Sequence, residues 1–285
     1  MTGTIIDSHQ HFWQVGRFDY PWMSADDKTL YRDFLPPALE PILNDCGVRQ
    51  TVLVQASNSL EETRWLLELA DRHSFIAGVV GWVDLTSPTV GWQLAEFTRH
   101  PKFKGVRHLV ESEPNDAWLI QPNVLRGLQV LVDRDVAFDL LVHTRHLRNV
   151  LKMADRCPGL RLVVDHLAKP PVASGAIDDW SPEWIALSQI PDIHCKLSGL
   201  VTEADHATWK IDDLRPFYDF ALDWFGPDRM MFGSDWPVCL LAASYRQALD
   251  AYQTLLRDLN QTERQRILAD TAMKFYRLDS DAIAD

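Results

Sequence analysis

The sequence lacks most features that would tie it to nucleic acid, to membranes or to the extracellular space. It has no cluster of lysine and arginine, and 40 acidic against 28 basic side chains give a formal charge of −12 over 285 residues. Phosphate backbones and anionic lipid surfaces need basic patches, so no nucleic acid or membrane partner is expected. No apolar run reaches eighteen residues, and no charged leader with an apolar core precedes a cleavage site. The expectation is a cytoplasmic protein. Cysteine is scarce: Cys46, Cys157, Cys195 and Cys239 lie far apart and form no CxxC pair. That spacing argues against a disulfide framework and reads as reduced, mostly buried thiols. Repeats, low-complexity tracts and linkers are missing too, so nothing divides the chain.

What is present suits an ordinary globular protein, with 46% hydrophobic and 24% charged residues. The length is near the ~250 residues usual for one α/β barrel, so residues 1–285 are read as a single domain. Apolar, β-branched runs alternate with helical patterns along the whole chain. The strand candidates are Ile5–Trp13, Thr51–Gln55, Ile76–Val83, Phe103–Leu109, Ala137–Val142, Leu160–His166, Ile193–Gly199 and Arg229–Trp236. Helices are expected from about Pro37 to Cys46, ended by Gly47, and from Leu60 to His73 behind the capping box Ser59-Leu60-Glu61-Glu62. Ser87-Pro88 and Ser181-Pro182 should open two more, followed by the boxes Ser244–Gln247 and Thr262–Gln265 for the last two. Eight strands alternating with helices predict a parallel (β/α)8 barrel. Residues 14–35 would be a long first strand-to-helix loop, a length usual for lids and substrate walls.

In such a barrel the functional groups collect at the C-terminal ends of the strands. His9 and His11, two residues apart on the first strand, share a face and can grip one metal ion together. Other strand ends supply Arg107 and His108, His143, His166, Lys196 and Asp235. Histidines at strand ends also occur as core or supporting residues, and Arg107, Lys169 and Lys196 could serve equally as ion pairs tying the rim together. Trp13, Trp22 and Trp236 stand beside these motifs, where aromatic faces would suit the C–H faces of sugars, although core packing is the commoner use of tryptophan.

The order HxH on strand one, His on strands five and six and Asp on strand eight resembles the amidohydrolase superfamily over nearly the whole chain. The phrases Asp7-Ser8-His9-Gln10-His11-Phe12-Trp13, Lys104-Gly105-Val106-Arg107-His108, Asp165-His166-Leu167-Ala168-Lys169-Pro170, Lys196-Leu197-Ser198-Gly199 and Phe232-Gly233-Ser234-Asp235-Trp236-Pro237 are similar to those of its sugar-lactone hydrolase branch, the L-fuconolactonases and L-rhamnonolactonases. The resemblance implies opening of a sugar lactone to the aldonic acid. His9, His11 and Asp235 would hold one divalent ion, with zinc suited by the imidazoles, manganese allowed, and metal-independent action known among relatives. It further implies Asp235, His143 and His166 in the catalytic group, with Arg107, His108, Lys169, Lys196, Trp22 and Trp236 around a small-molecule lactone. Strand four ends in Arg107-His108 without the bridging lysine or glutamate of binuclear members, which favours one metal at most. A decarboxylase of an unsaturated or aromatic acid, or a barrel retained only for binding, are the other readings. The sequence leaves the oligomeric state open.

Overall fold

A computed structural model describes residues 3–279. Eight strands, β1 (Ile5–Gln10), β2 (Val48–Val54), β3 (Ile76–Gly81), β4 (Phe103–His108), β5 (Ala137–Leu140), β6 (Leu162–Val164), β7 (His194–Leu197) and β8 (Met230–Phe232), pair in parallel and in sequence order. Between and after them lie α1 (Pro36–Cys46), α2 (Leu60–Arg72), α3 (Val90–Phe97), α4 (Pro122–Asp133), α5 (Leu147–Arg156), α6 (Ser181–Ser188), α7 (Leu200–Glu203), α8 (Ile211–Phe225), α9 (Tyr245–Leu255), α10 (Gln261–Gln265) and α11 (Thr271–Tyr276). This is the (β/α)8 barrel that the alternation of buried strands and amphipathic helices dictates. No helix among the described residues is long and apolar enough to cross a membrane.

The ring is drawn shut between β1 and the residues after β8. Gln10 and Trp236 form a parallel bridge, the His11 amide donates to the Trp236 carbonyl at 2.7 Å, and the Asp235 amide donates to the His9 carbonyl at 2.8 Å. Beneath them the Ser8 hydroxyl donates to the Phe232 carbonyl at 2.6 Å. The buried Asp7 carboxylate accepts from the amides of Ser234 and His9, at 2.9 and 3.0 Å, and from the Tyr245 hydroxyl at 3.0 Å. Closing the barrel therefore places His9, His11 and Asp235 side by side. Gly233 allows the approach, since a Cβ there would lie 2.7 Å from the His9 Cβ.

Several strands end earlier than the apolar runs suggest. β1 stops at Gln10, β5 at Leu140 and β6 at Val164. After β6 the chain turns through His166, Leu167, Ala168 and Lys169, all at φ between 50° and 59°, a conformation no strand continues. Two helix starts shift as well. α3 begins at Val90, because the Ser87 hydroxyl accepts from the Thr89 amide and closes a turn before the helix. α10 is capped by Asn260 with Glu263 rather than by Thr262 with Gln265, while the Ser244–Gln247 box forms as expected. α6 starts at Ser181 with Pro182 in its first turn, and Gly47, at φ 70°, ends α1.

The box at α2 forms by half. Ser59 accepts from the Glu62 amide at 3.1 Å, but the Glu62 side chain turns away to accept from the amides of Ala56 and Ser57 at 3.1 and 2.8 Å. The carboxyl thereby fixes the loop after β2, whose Ala56 carbonyl accepts from the Trp22 indole at 2.8 Å. One helix residue thus ties the long first loop to the barrel.

Burial pushes the Glu62 carboxyl from 4.5 up to about 8, against the amides that favour its charged form. Between those two values the folded chain holds a proton that the unfolded chain releases, so this group's contribution is greatest below pH 4.5 and is lost as pH rises through about 8. Glu62→Gln, which keeps an acceptor for both amides, should remove that loss. Urea midpoints at pH 5 and pH 9 should show the variant gaining on the wild type by on the order of 1–4 kcal/mol at the higher pH. An equal difference at both pH values would contradict the assignment.

Candidate metal and substrate site

β1 and the residue just after it present His9 and His11 side by side in the barrel interior. Their Nε2 atoms are 3.0 Å apart, and each faces Asp235 Oδ1, at 3.7 Å from His9 and 3.4 Å from His11. His166, swung inward by the left-handed turn after β6, brings its Nε2 to 3.8 Å from the same oxygen. Three imidazoles thus surround one carboxylate oxygen, all buried. His11 Nδ1 lies 2.8 Å from the Val54 carbonyl, so its N–H donates there and its Nε2 keeps a free lone pair. His166 Nδ1 is 2.8 Å from the Ser198 hydroxyl. Gly199 follows at φ 67°, and a Cβ on it would strike the His166 ring at 2.8 Å.

The electrostatics keep these imidazoles neutral. Burial lowers the pKa of His9, His11 and His166, most strongly for His9, where the Lys196 ammonium adds to the effect. Asp235 is held below the ordinary aspartate value: burial opposes ionisation, but His166, His11 and His9 outweigh it. Neutral nitrogens beside an ionised carboxylate make a donor set of the kind divalent ions take. A tetrahedral ion with ~2.0–2.1 Å bonds has donor–donor edges of about 3.3 Å, close to the separations here. His9, His11 and Asp235 accordingly fit a divalent metal, and His9, Asp165 and His166 form a second group of converging donors. Asp165 Oδ1 lies 3.4 Å from His9 Nδ1 and 2.9 Å from the Lys196 ammonium, which itself stands 3.0 Å from that His9 nitrogen, so the two buried charges fix the His9 ring from behind.

Arg107 and Lys196 pair elsewhere than with Asp235. Arg107 Nη1 lies 3.2 Å from Asp165 Oδ2, and its Nη2 reaches the Gln55 carbonyl and side chain, while its Nε is buried with no partner. Lys196 is wholly buried between Asp139, at 2.6 Å, and Asp165, at 2.9 Å, with His9 Nδ1 at 3.0 Å. Tyr276 completes this network by donating to Asp139 at 2.7 Å. Lys196 is therefore an interior cation beneath His9 and not part of the cavity wall.

A cavity of about 220 Å³ opens above the cluster. His11, Arg107, His166, Lys169, Asp235 and Trp22 all line it, with Leu109, Leu141, Val238 and Leu241 as its apolar part. Besides Lys196, three expected members stand away from it. His143, three residues past the end of β5, is half-exposed, 3.6 Å from Glu111, and does not join the three imidazoles. His108 is stacked on Trp118 and shared between the Trp82 indole and Glu113. Trp236 is buried edge-on against Phe12 and Phe34. Lys104, at the far end of β4, donates to the Arg277 carbonyl, so β4 brings no lysine to the cluster.

The sequence reading passed over several residues. Asp139 and Asp165 are charged residues within or at the end of apolar strands, a signal that pairs naturally with Lys196. Asp7 opens the HxH phrase and went unread. Glu111 and Glu203, which line the cavity from the segments after β4 and β7, carry no pattern at all.

Comparison with known proteins agrees with this geometry. The L-fucono-1,5-lactonase of Burkholderia ambifaria is 43% identical over 280 residues, spanning 96% of either chain. That of Burkholderia multivorans is 41% identical over 290 residues, 98% of either chain. The crystal structure of an amidohydrolase from Burkholderia multivorans with bound zinc superposes with a TM-score of 0.93 at 39% identity, covering 97% of this chain and 100% of that one. Since the amidohydrolase family model also matches residues 6–278, from the first strand through the helix that ends the barrel, the chain belongs to the amidohydrolase family.

Proposed function

We propose that the protein hydrolyses a sugar lactone of the L-fucono or L-rhamnono type to the aldonic acid. The observation that carries this reading is the single Asp235 oxygen ringed by three neutral imidazoles at 3.4–3.8 Å on the floor of a small cavity. The likeness to two lactonases over nearly the whole chain supports it. Lactone hydrolysis needs an electrophile for the carbonyl, an activated water and an acid for the departing alkoxide. A divalent ion held by His9, His11 and Asp235, with zinc the first choice for this donor set, would polarise the carbonyl and lower the pKa of water.

The chain's own groups then divide the remaining work. Asp235, ionised across the neutral range, accepts the proton of the attacking water and returns it to the ring oxygen as the ester bond breaks. His166, fixed by Ser198, lies close enough to Asp235 to steady the carboxylate through that exchange. Arg107, held rigid by Asp165 and Gln55, lines the cavity and presents a fixed positive charge near the lactone carbonyl. Trp22 offers an aromatic wall, and Lys169 a cation at the rim. Lys196 acts from beneath by holding His9. His143, set back beside Glu111, serves the rim rather than the proton transfer.

A panel of aldonolactones scored by acid release, run beside aromatic carboxylic acids scored by CO2, separates this reading from decarboxylation. L-fucono- and L-rhamnono-lactone should be turned over and the acids left intact; the reverse result would make the protein a decarboxylase. Elemental analysis after loading with zinc or manganese should find about one equivalent per chain, lost in the His9→Ala/His11→Ala double variant, as expected for a single site with these ligands. Two equivalents would contradict the one-metal assignment. Asp235→Asn preserves shape and some ligation but cannot accept a proton, so it should fold and lose ~10²–10⁴-fold in kcat. A folded variant losing less than about tenfold would move the base to another residue.

A further inference from the structure

The cavity holds two carboxylates that lactone opening leaves without a task. Glu111 follows β4 and Glu203 ends α7, and both line the cavity. Glu111 is engaged, with Oε2 2.5 Å from Lys169 Nζ. The Glu203 carboxylate forms neither a hydrogen bond nor an ion pair with any described residue. Burial raises its pKa; Lys169 and, more weakly, His206 at the cavity edge counter this, and the neighbouring Glu111 and Asp235 reinforce it. Meanwhile the two cations of the lining are committed, Arg107 to Asp165 and Lys169 to Glu111. Glu203 is thus a partly desolvated anion facing the substrate space without a counter-charge of its own.

Such a group discriminates by charge. It accepts charge-assisted hydrogen bonds from the hydroxyls of a sugar ring. It repels a second carboxylate, which would also find no uncommitted lysine or arginine among the described lining residues. We propose that Glu203, with Glu111 keeping Lys169 occupied, is the specificity device of the cavity: it reads the hydroxyls of an uncharged lactone and rejects lactones that carry a carboxylate. This deepens the lactonase reading and rests on it.

The test compares kcat/KM for L-fucono-1,5-lactone and for the monolactone of galactaric acid, which bears a carboxylate, at pH 7 and fixed ionic strength. The wild type should prefer the neutral lactone. Glu203→Gln should narrow that preference by at least about tenfold, equivalent to ~1.4 kcal/mol of relieved repulsion, through a gain on the anionic lactone. Glu111→Gln, which releases Lys169, should narrow it as well. A merely structural defect would lower both lactones together and leave the ratio in place. An unchanged ratio in both variants, or a wild type that takes both lactones equally, overturns the proposal while leaving the lactonase reading intact. If the wild type hydrolyses neither, the lactonase reading fails, and calorimetry with methyl L-fucopyranoside and methyl L-galactopyranosiduronate decides the charge filter. Weak binding of the anionic glycoside that strengthens about tenfold, ~1.4 kcal/mol, in Glu203→Gln supports it. Equal affinity for the two, or no binding of either by any variant, overturns it.

Discussion

The seam between β1 and the segment after β8 is the constraint on which the rest depends. A barrel of eight strands must close on its own first strand, and here it closes through the backbone of His9 and His11 on one side and of Asp235 and Trp236 on the other. Asp7 anchors the seam from within by accepting from two amides and a tyrosine hydroxyl. Burial raises the Asp7 carboxyl to about 6, and each hydrogen bond it accepts works against that rise. The side chains that would hold a metal are therefore fixed by the same bonds that complete the fold. Mobility of the ligands relative to one another would require the barrel itself to open.

Beneath the seam, burial of charge is balanced with little to spare. Lys196, Arg107, Asp139 and Asp165 lie in the barrel interior as two cations and two anions, each within 3.2 Å of a partner. Removing one member of such a set strands another, at a cost of roughly 3–5 kcal/mol. The set also shapes the field around His9: besides burial, the Lys196 ammonium disfavours its protonation, and Asp165 moderates that effect. Structural and functional roles coincide in these residues, since the ion pairs that hold the strands also keep an imidazole neutral.

The barrel was legible because its signals are repeated. Eight apolar runs, each followed by a helix start, leave little freedom, and the HxH phrase with Asp235 after the last run marks the metal-type cluster at the C-terminal rim. What could not be read follows from local geometry. His143 stands one residue past Val142 and three past the end of β5, and it turns to Glu111 on the half-exposed rim, a side-chain direction that no periodicity encodes. Lys196 sits within its strand and points to the interior, where its chemistry is that of an ion pair. Glu62 matches a capping box, yet the buried amides of Ala56 and Ser57 compete for its carboxyl and win. Glu111 and Glu203 reach the cavity through loop and short-helix placement that no periodicity encodes.

The turn after β6 shows how backbone conformation creates the site's upper half. In an extended strand, His166 and Lys169 are three positions apart and would point to opposite faces. Four consecutive residues at positive φ replace that alternation, and both side chains line the same cavity. Such conformations cost on the order of 1–3 kcal/mol each for residues other than glycine and persist only where surroundings enforce them. Here the enforcing contacts are identifiable. The Trp180 indole donates to the Leu167 carbonyl at 2.8 Å, Ser198 holds the His166 ring, and Glu111 holds Lys169. Leu167 and Ala168 are themselves buried, so the turn is packed as core while its ends project into the cavity. Strain of this kind is sustained by the segments after β4 and β7 and by the approach to α6, which means that the elements carrying Glu111 and Ser198 also determine where His166 stands.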